Sequence, residues 1–539
     1  MPNKTPSFWD LFAKDLPHPP ADPSFWDLFT KTGDDPGATS YEEFPNASSA
    51  ISFDERKMFW AMRDLPIGEA TQHLLAVGST GSGKSTLIQL FLQSIAPRFQ
   101  KKTGPPQHLI VFDGKCDAIS QLASLGFYPE DENYYILNPH DQRCAVWDLA
   151  EGTKPPLMAG QLAALLVPDE PRSSAPFFWE SARSILYAVI LALNRSEVHW
   201  TFRDLICATD SKERIEAVAA RHPRAKTIVK RIFDDERHGF GVLSSLAAKM
   251  MKFEQVAALW HSAKNAKIFT VEKFLSQPGI LVLGDDPHLH ETLWPVNVLL
   301  LRALTKDILH QPNTREPRHF FVLDEFPAME QADAVPALLR RGRSKGVCVL
   351  LGTQSLEALY QIYGEAGAED ILSQCHYKTF LHVGGPKTAA WIESYFGQVR
   401  QKECSYSESW GKGGTSYSIS VQLQDRSLFL ASTFLNLPLP APGGLFICVS
   451  DVPCLNSCFI TRRWFDDILS WLKPMSTVPA SLPRLSIEEQ TLQEWTAEEE
   501  KVFTASGKAK KSKSPKSTEE KPYLPKADRR RSSEFRDDF

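Results

Sequence analysis

Gly78-Ser79-Thr80-Gly81-Ser82-Gly83-Lys84-Ser85 decides the fold of this chain. The octapeptide satisfies G-x-x-x-x-G-K-[ST] at every fixed position. The apolar run Gln72–Val77 precedes it as a strand and the helical pattern Thr86–Leu92 follows, which is the context a phosphate-binding loop requires. Each residue has a physical reason. Gly78, Gly81 and Gly83 let the backbone curl, so that N–H groups from Ser79 to Thr86 point at phosphate oxygens, and the helix N-terminus adds a favourable dipole. Lys84 supplies the charge for the β/γ phosphates, and the Ser85 hydroxyl is the expected ligand of Mg²⁺. The sequence therefore predicts an ATP–Mg²⁺ site on an α/β P-loop fold.

The second half of such a site is found at His319-Phe320-Phe321-Val322-Leu323-Asp324-Glu325, a buried strand ending in two carboxylates. Asp324 is read as the magnesium-holding residue and Glu325 as the group that polarises the attacking water. After the next helix comes Arg340-Arg341-Gly342-Arg343-Ser344-Lys345-Gly346, then the strand Val347–Leu351 and Gly352-Thr353-Gln354. Gln354, at the C-terminal end of a strand beside the Asp324 strand, is placed to sense the γ-phosphate. The basic cluster is either a solvated surface or a source of charge for a neighbouring subunit's nucleotide.

Around these motifs, further strands are predicted at His108–Phe112, Tyr134–Leu137, Ile280–Leu283, Thr379–His382 and Leu445–Val449. Strands alternating with helices imply a mostly parallel sheet covered on both faces. Residues 51–156 and 274–473 form this nucleotide-binding body. Residues 157–273 read as an inserted all-α domain, with helical patterns at Ala182–Leu193, Lys212–Ala220 and Val242–Met251. Gly411–Ser420 reads as a mobile Gly/Ser loop, and residues 474–539 as a polar, basic, disordered tail. Residues 1–55 carry three Lys/Arg against ten Asp/Glu, and residues 508–531 carry ten against three, so the ends are oppositely charged.

The first 50 residues contain a tandem repeat. Pro6-Ser7-Phe8-Trp9-Asp10-Leu11-Phe12 recurs as Pro23-Ser24-Phe25-Trp26-Asp27-Leu28-Phe29. Two short copies do not build a solenoid. Phe8, Trp9, Phe25 and Trp26 on a disordered tether form a docking element for a partner, or pack on the protein's own core. Nine scattered cysteines without a C-x-x-C pair indicate reduced thiols. The longest apolar runs, Ile185–Leu193 and Val296–Leu304, fall short of the ~20 residues of a membrane span. The expectation is a cytoplasmic chain with no integral membrane segment.

The ordered set of motifs resembles the ATPase domains of conjugative coupling proteins, the TraD/TraG/TrwB type of type IV secretion. The matching stretches are the P-loop, Val111-Phe112-Asp113-Gly114-Lys115, Leu137-Asn138-Pro139 with Trp147-Asp148, and Phe177-Phe178-Trp179. They continue with Leu323-Asp324-Glu325-Phe326-Pro327 and with Gly342-Arg343-Ser344-Lys345-Gly346 ahead of Gly352-Thr353-Gln354-Ser355. The resemblance covers roughly residues 65–455. It implies a RecA-like nucleotide domain, an inserted all-α domain and a homo-hexamer with ATP between subunits. It also implies DNA, single- or double-stranded, or nucleoprotein as cargo, with a relaxase or secretion-channel subunit as partner. By position, Arg343 is then the trans arginine and Gln354 the γ-phosphate sensor. Family members usually begin with transmembrane helices and this sequence shows none, so attachment at the inner membrane would run through a partner. Two other classes stay open: a HerA/FtsK-like DNA pump or protein-secretion ATPase, and an ATP-dependent switch that recruits partners through its terminal peptides.

Overall fold

The computed structural model describes residues 56–504 apart from the short stretches 101–103, 169–175, 197, 264–265, 286–289, 331 and 412–413. Both copies of the N-terminal repeat and the basic segment 508–531 lie outside the described residues. The central sheet has nine strands: β1 (Leu74–Val77), β2 (His108–Asp113), β3 (Tyr134–Leu137), β4 (Gly279–Gly284), β5 (Thr314–Leu323), β6 (Lys345–Thr353), β7 (Tyr377–Phe380), β8 (Leu445–Val452) and β9 (Ser457–Trp464). Their spatial order is β9-β8-β7-β1-β6-β5-β2-β4-β3. The seven strands from β7 to β3 are all parallel, and β8 and β9 add an antiparallel edge.

The strand sequences explain why both faces are covered. Leu74 and Ala76 of β1 enter one apolar cluster, and Leu75 and Val77 enter the other; β2 divides Leu109 and Val111 from Ile110 and Phe112 in the same way. Side chains alternate across a strand, so an unbroken apolar run must be buried on both sides. One layer is the P-loop helix Lys84–Ile95, which buries Leu87, Leu90, Phe91 and Ile95. The other includes His290–His310 and Ala334–Arg341. Strand β6 lies between β1 and β5, so the two halves of the nucleotide site end side by side along the C-terminal edge of the sheet.

Between β3 and β4 the chain forms a helical body, with helices at Pro156–Leu166, Pro176–Leu193, Phe202–Ala208, Lys212–Ala219, Pro223–Phe233, Glu236–Met250 and Glu254–Ser262. The sequence marks the starts. A capping box joins Thr201 to Asp204, Ser211 accepts from the Arg214 N–H, and Asp235 accepts from Arg237 and His238. At the neck, Val146–Trp147 pairs in parallel with Ile268–Phe269. Helix Pro176–Leu193 is long and apolar enough to cross a membrane by length and composition. Here it packs against Pro156–Leu166, Pro223–Phe233 and Glu236–Met250, and buries Ala182, Ile185, Leu186, Val189 and Ile190.

Two expectations require correction. Gly414–Ser420, expected as part of a mobile loop, is strand. Gln398–Gly411 pairs antiparallel with Gly414–Ser427 from Gln398↔Ser427 out to Gly411↔Gly414, forming a long hairpin arm exposed from Ser420 to Arg426. The Gly/Ser content hid the alternation Tyr417, Ile419, Val421, which has strand period.

Nor is the chain a disordered tail from 474 onward. Residues 474–504 run as a strap from the sheet to the helical body. Its first half is held by the 140–143 turn: Gln142 N–H donates to the Leu482 carbonyl (2.8 Å) and Arg484 N–H to the His140 carbonyl (2.8 Å). Asp141 is buried and accepts from Leu482 N–H at 3.0 Å. Its second half is gripped by buried Arg203, which donates to the carbonyls of Gln493 (2.7 Å) and Glu494 (2.6 Å) and to both carboxylate oxygens of Glu499 (2.9 and 3.0 Å). Trp495 is buried, stacks on Phe503 and donates its indole N–H to Asp204 at 2.8 Å. The segment is polar in composition because arginine forks and backbone bonds hold it, with only two aromatic anchors.

Candidate nucleotide site

The P-loop follows β1 directly. Gly78 N–H donates to the Thr353 carbonyl (3.1 Å) and Ser79 N–H to the His382 carbonyl (2.8 Å), fixing the loop to β6 and to the end of β7. Ser79 Oγ meets His382 Nδ1 at 2.8 Å. Gly83 caps the helix with φ 92°, and a Cβ there would lie 2.6 Å from the Phe446 ring, so this position needs glycine twice over.

Most of the predicted residues converge. Lys84 is buried, and its ammonium lies 3.2 Å from the Asp324 carbonyl, 3.3 Å from Glu325 Oε2 and 3.6 Å from Asp324 Oδ1. Ser85 Oγ donates to Asp324 Oδ2 at 3.3 Å. Gln354 bridges the two halves: its Nε2 donates to Glu325 Oε2 at 2.9 Å, and its Oε1 accepts from Thr80 Oγ1 at 3.0 Å. A cleft of about 330 Å³ opens over this cluster, lined among others by Ser79, Thr80, Gly81, Thr86, Pro440 and Phe465. Ser82 is buried beneath the loop. Asp324 Oδ1 is buried without a hydrogen bond. Beside it stand Oδ2 and the Ser85 hydroxyl, the hard oxygen donors that Mg²⁺ prefers, so the residues present fit that ion.

Arg343 is not brought to the phosphate-binding residues of its own chain. It is exposed in the turn before β6, at the opposite end of that strand from Gln354. At ~3.3 Å per residue the separation is about 30 Å.

Three residues escaped the sequence reading. Lys115, two residues beyond β2, donates to Ser85 Oγ at 2.9 Å and forms an ion pair with Asp324 Oδ2. The signal was the Asp113-Gly114-Lys115 turn at a strand end beside the Asp324 strand. Asp113 itself is structural: it is buried and accepts from the N–H groups of Asp117 (2.9 Å) and Ala118 (3.2 Å), and burial pushes its carboxyl up to about 6. Pro440 and Phe465 come from the far edge of the sheet, and nothing local in the sequence ties them to the P-loop.

Residues 60–457 match the family described as the type IV secretion-system coupling protein DNA-binding domain. Coupling protein TraD of Escherichia coli (strain K12) is 22% identical over 387 residues, which is 70% of this chain and 51% of TraD; the chain thus spans about half of that relative. The coupling protein VirD4 of Bartonella henselae is 30% identical over 132 residues, 24% of this chain and 21% of that protein. Among solved structures, the conjugative coupling protein TrwB in complex with ADP and Mg²⁺ aligns with a TM-score of 0.57 at 18% identity, over 80% of this chain and 94% of that one. Its complex with the ATP analogue ADPNP gives 0.59 at 18% identity, over 80% and 93%. At these identities the likeness shows the fold, a RecA-like P-loop architecture.

Proposed function

Because the chain belongs to the type IV secretion-system coupling protein family, we propose that it is an oligomeric ATPase that drives DNA, or a protein–DNA complex, through a central channel. One observation carries the reading. Lys84 and Ser85 from the P-loop meet Asp324 and Glu325 at the neighbouring strand end within 3.3 Å, Gln354 joins Glu325 at 2.9 Å, and Asp324 Oδ1 is buried without a hydrogen bond.

ATP occupies the cleft over the P-loop, with its phosphates on the loop N–H groups of Gly81 and of Gly83 to Thr86 and its base toward Pro440 and Phe465. Ser85 and Asp324 would hold Mg²⁺, which would supply charge neutralisation to the phosphate oxygens. Lys84 follows the charge that develops during transfer. Glu325 is aimed by two groups, Lys84 and Gln354, and takes the role of orienting the attacking water and accepting its proton. Gln354 also touches Thr80 at the loop tip, so a change at the γ-phosphate reaches β6 directly. Arg343, remote from its own site, serves the site of an adjacent subunit, which makes hydrolysis a property of the assembled ring, in our reading a homo-hexamer.

Cargo contacts run through lysines and arginines on the phosphate backbone and carry little sequence information. A relaxase or a secretion-channel subunit is the expected partner. The Phe-Trp-Asp-Leu-Phe repeat is the element that would tether the ring at the inner membrane.

The test is steady-state ATP hydrolysis with and without single- and double-stranded DNA over a range of protein concentrations. Stimulation that rises more than linearly with protein supports the motor. Turnover indifferent to DNA at every concentration removes the DNA cargo and leaves a protein pump or a nucleotide switch.

A further inference from the structure

Lys115 sits where the mechanism above has no use for it. Its ammonium contacts Ser85 Oγ at 2.9 Å and pairs with Asp324 Oδ2. Those are the two groups that would hold magnesium, and both cannot serve the ammonium and the ion at the same moment. The contact is built into the fold. Lys115 is delivered by the turn after β2, and β2 pairs in register with the Asp324 strand, Phe112 opposite Leu323. That turn is pinned by Asp113 through the Asp117 and Ala118 N–H groups. The side chain is 39% exposed and Asp324 21%, so the lysine can leave the pair for solvent or phosphate without disturbing the core. Lys84 differs: it is 6% exposed and remains beside Glu325.

We infer that Lys115 is a resident competitor for the magnesium seat, a positioning residue that holds Ser85 and Asp324 together and must be displaced when Mg²⁺ enters with the nucleotide. The inference rests on the assignment of this cluster as the ATP–Mg²⁺ site. The displaced ammonium is then released toward solvent, so metal entry and exposure of Lys115 become one event. The competition raises the magnesium concentration the site needs. If the ammonium occupies the seat nine-tenths of the time, the apparent metal affinity is reduced ~tenfold, because only the open tenth is competent.

Two readouts on the full chain, neither of them hydrolysis, test this. The first is binding of a fluorescent ADP analogue titrated with Mg²⁺ from EDTA into the millimolar range. Lys115→Met should lower the half-saturating Mg²⁺ by ~tenfold relative to wild type. The second is amine acylation of Lys115 read by mass spectrometry at saturating ADP. Adding Mg²⁺ should raise its modification as the ammonium leaves the carboxylate. The inference is overturned if the half-saturating Mg²⁺ of Lys115→Met stays within twofold of wild type or rises. It is equally overturned if acylation is unchanged or falls when Mg²⁺ is added. A wild-type chain that binds no ADP analogue at any Mg²⁺ concentration would instead refute the assignment of the nucleotide site.

Discussion

Gly352 of β6 is the position where one methyl group would test the site's geometry most directly. A Cβ built there lies 2.1 Å from the Asp324 carbonyl oxygen and 2.9 Å from its Cα. Ordinary contact begins at 3.4 Å, so Gly352→Ala must move the end of β5 by about 1.3 Å or bend β6 by the same amount. Neither strand gives easily, because β6 is paired on both sides, with β1 and β5. The overpacking should cost about 1–3 kcal/mol of stability.

The same shift takes the Asp324 carbonyl away from the Lys84 ammonium, now 3.2 Å away, and turns Glu325 relative to Gln354. A displacement of ~1 Å in catalytic groups costs ~10²-fold in rate. The expected result is a folded protein that still binds nucleotide through its P-loop and hydrolyses ATP ~10²-fold more slowly. Circular dichroism melting and single-turnover hydrolysis measure the two parts. A folded Gly352→Ala with a rate within threefold of wild type would refute the proposal that the Asp324–Glu325 strand end must hold its position to within an ångström.

Further outcomes follow from other parts of the site. Glu325→Gln keeps the contacts that bind ATP and loses the proton acceptor, so nucleotide binding should persist while hydrolysis slows at least ~10²-fold; near-normal turnover would move the role elsewhere. Wild type mixed with Arg343→Ala, Lys84→Ala double-mutant subunits should lose activity more steeply than dilution predicts, and strict proportionality would argue against an inter-subunit arginine. Stability should fall between pH 7 and 5. Burial holds His73 and His108 down to about 4, and burial with the adjacent His108 holds His319 down to about 3. A depressed histidine contributes stability that is complete above its ordinary value near 6.5 and is lost as pH falls toward the folded value, on the order of 2 kcal/mol for His73 by pH 5, with the stacked His108–His319 pair acting in the same direction. Asp113, raised to about 6, acts in the opposite sense. Urea unfolding at pH 7, 6 and 5 checks the balance, and a rise in stability toward pH 5 would contradict it.

The parallel core was legible because its strands carry apolar runs, and three of these lead straight into the site: Val77 before the P-loop, Leu323 before Asp324, Thr353 before Gln354. Local sequence carries both the burial and the chemistry there. The hairpin arm and the strap were not legible. The arm is rich in glycine and serine, and its period-2 pattern is visible only once composition is set aside. The strap depends on Arg203 and Asp141, which lie hundreds of residues away in sequence. Pro440 and Phe465 share that difficulty, since they enter the cleft through the order of strands β9-β8-β7-β1. Lys115 lies in the legible Asp113-Gly114-Lys115 turn, but its role needs the in-register pairing of β2 with β5.

The strap begins where the nucleotide cleft ends. Phe465 lines that cleft and opens the helix Phe465–Trp471. Gln93 on the P-loop helix clamps the exit of that helix, donating to the Trp471 carbonyl (2.8 Å) and accepting from Lys473 N–H (3.0 Å). From there the chain reaches Arg203 on the helical body. The helical body is therefore joined to the sheet by this cable as well as by its two chain crossings and its packing on His290–His310, and the cable starts at the wall of the cleft. A nucleotide that shifts Phe465 draws on a line made fast at Trp495, which gives the site a mechanical route to the helices that bypasses the sheet.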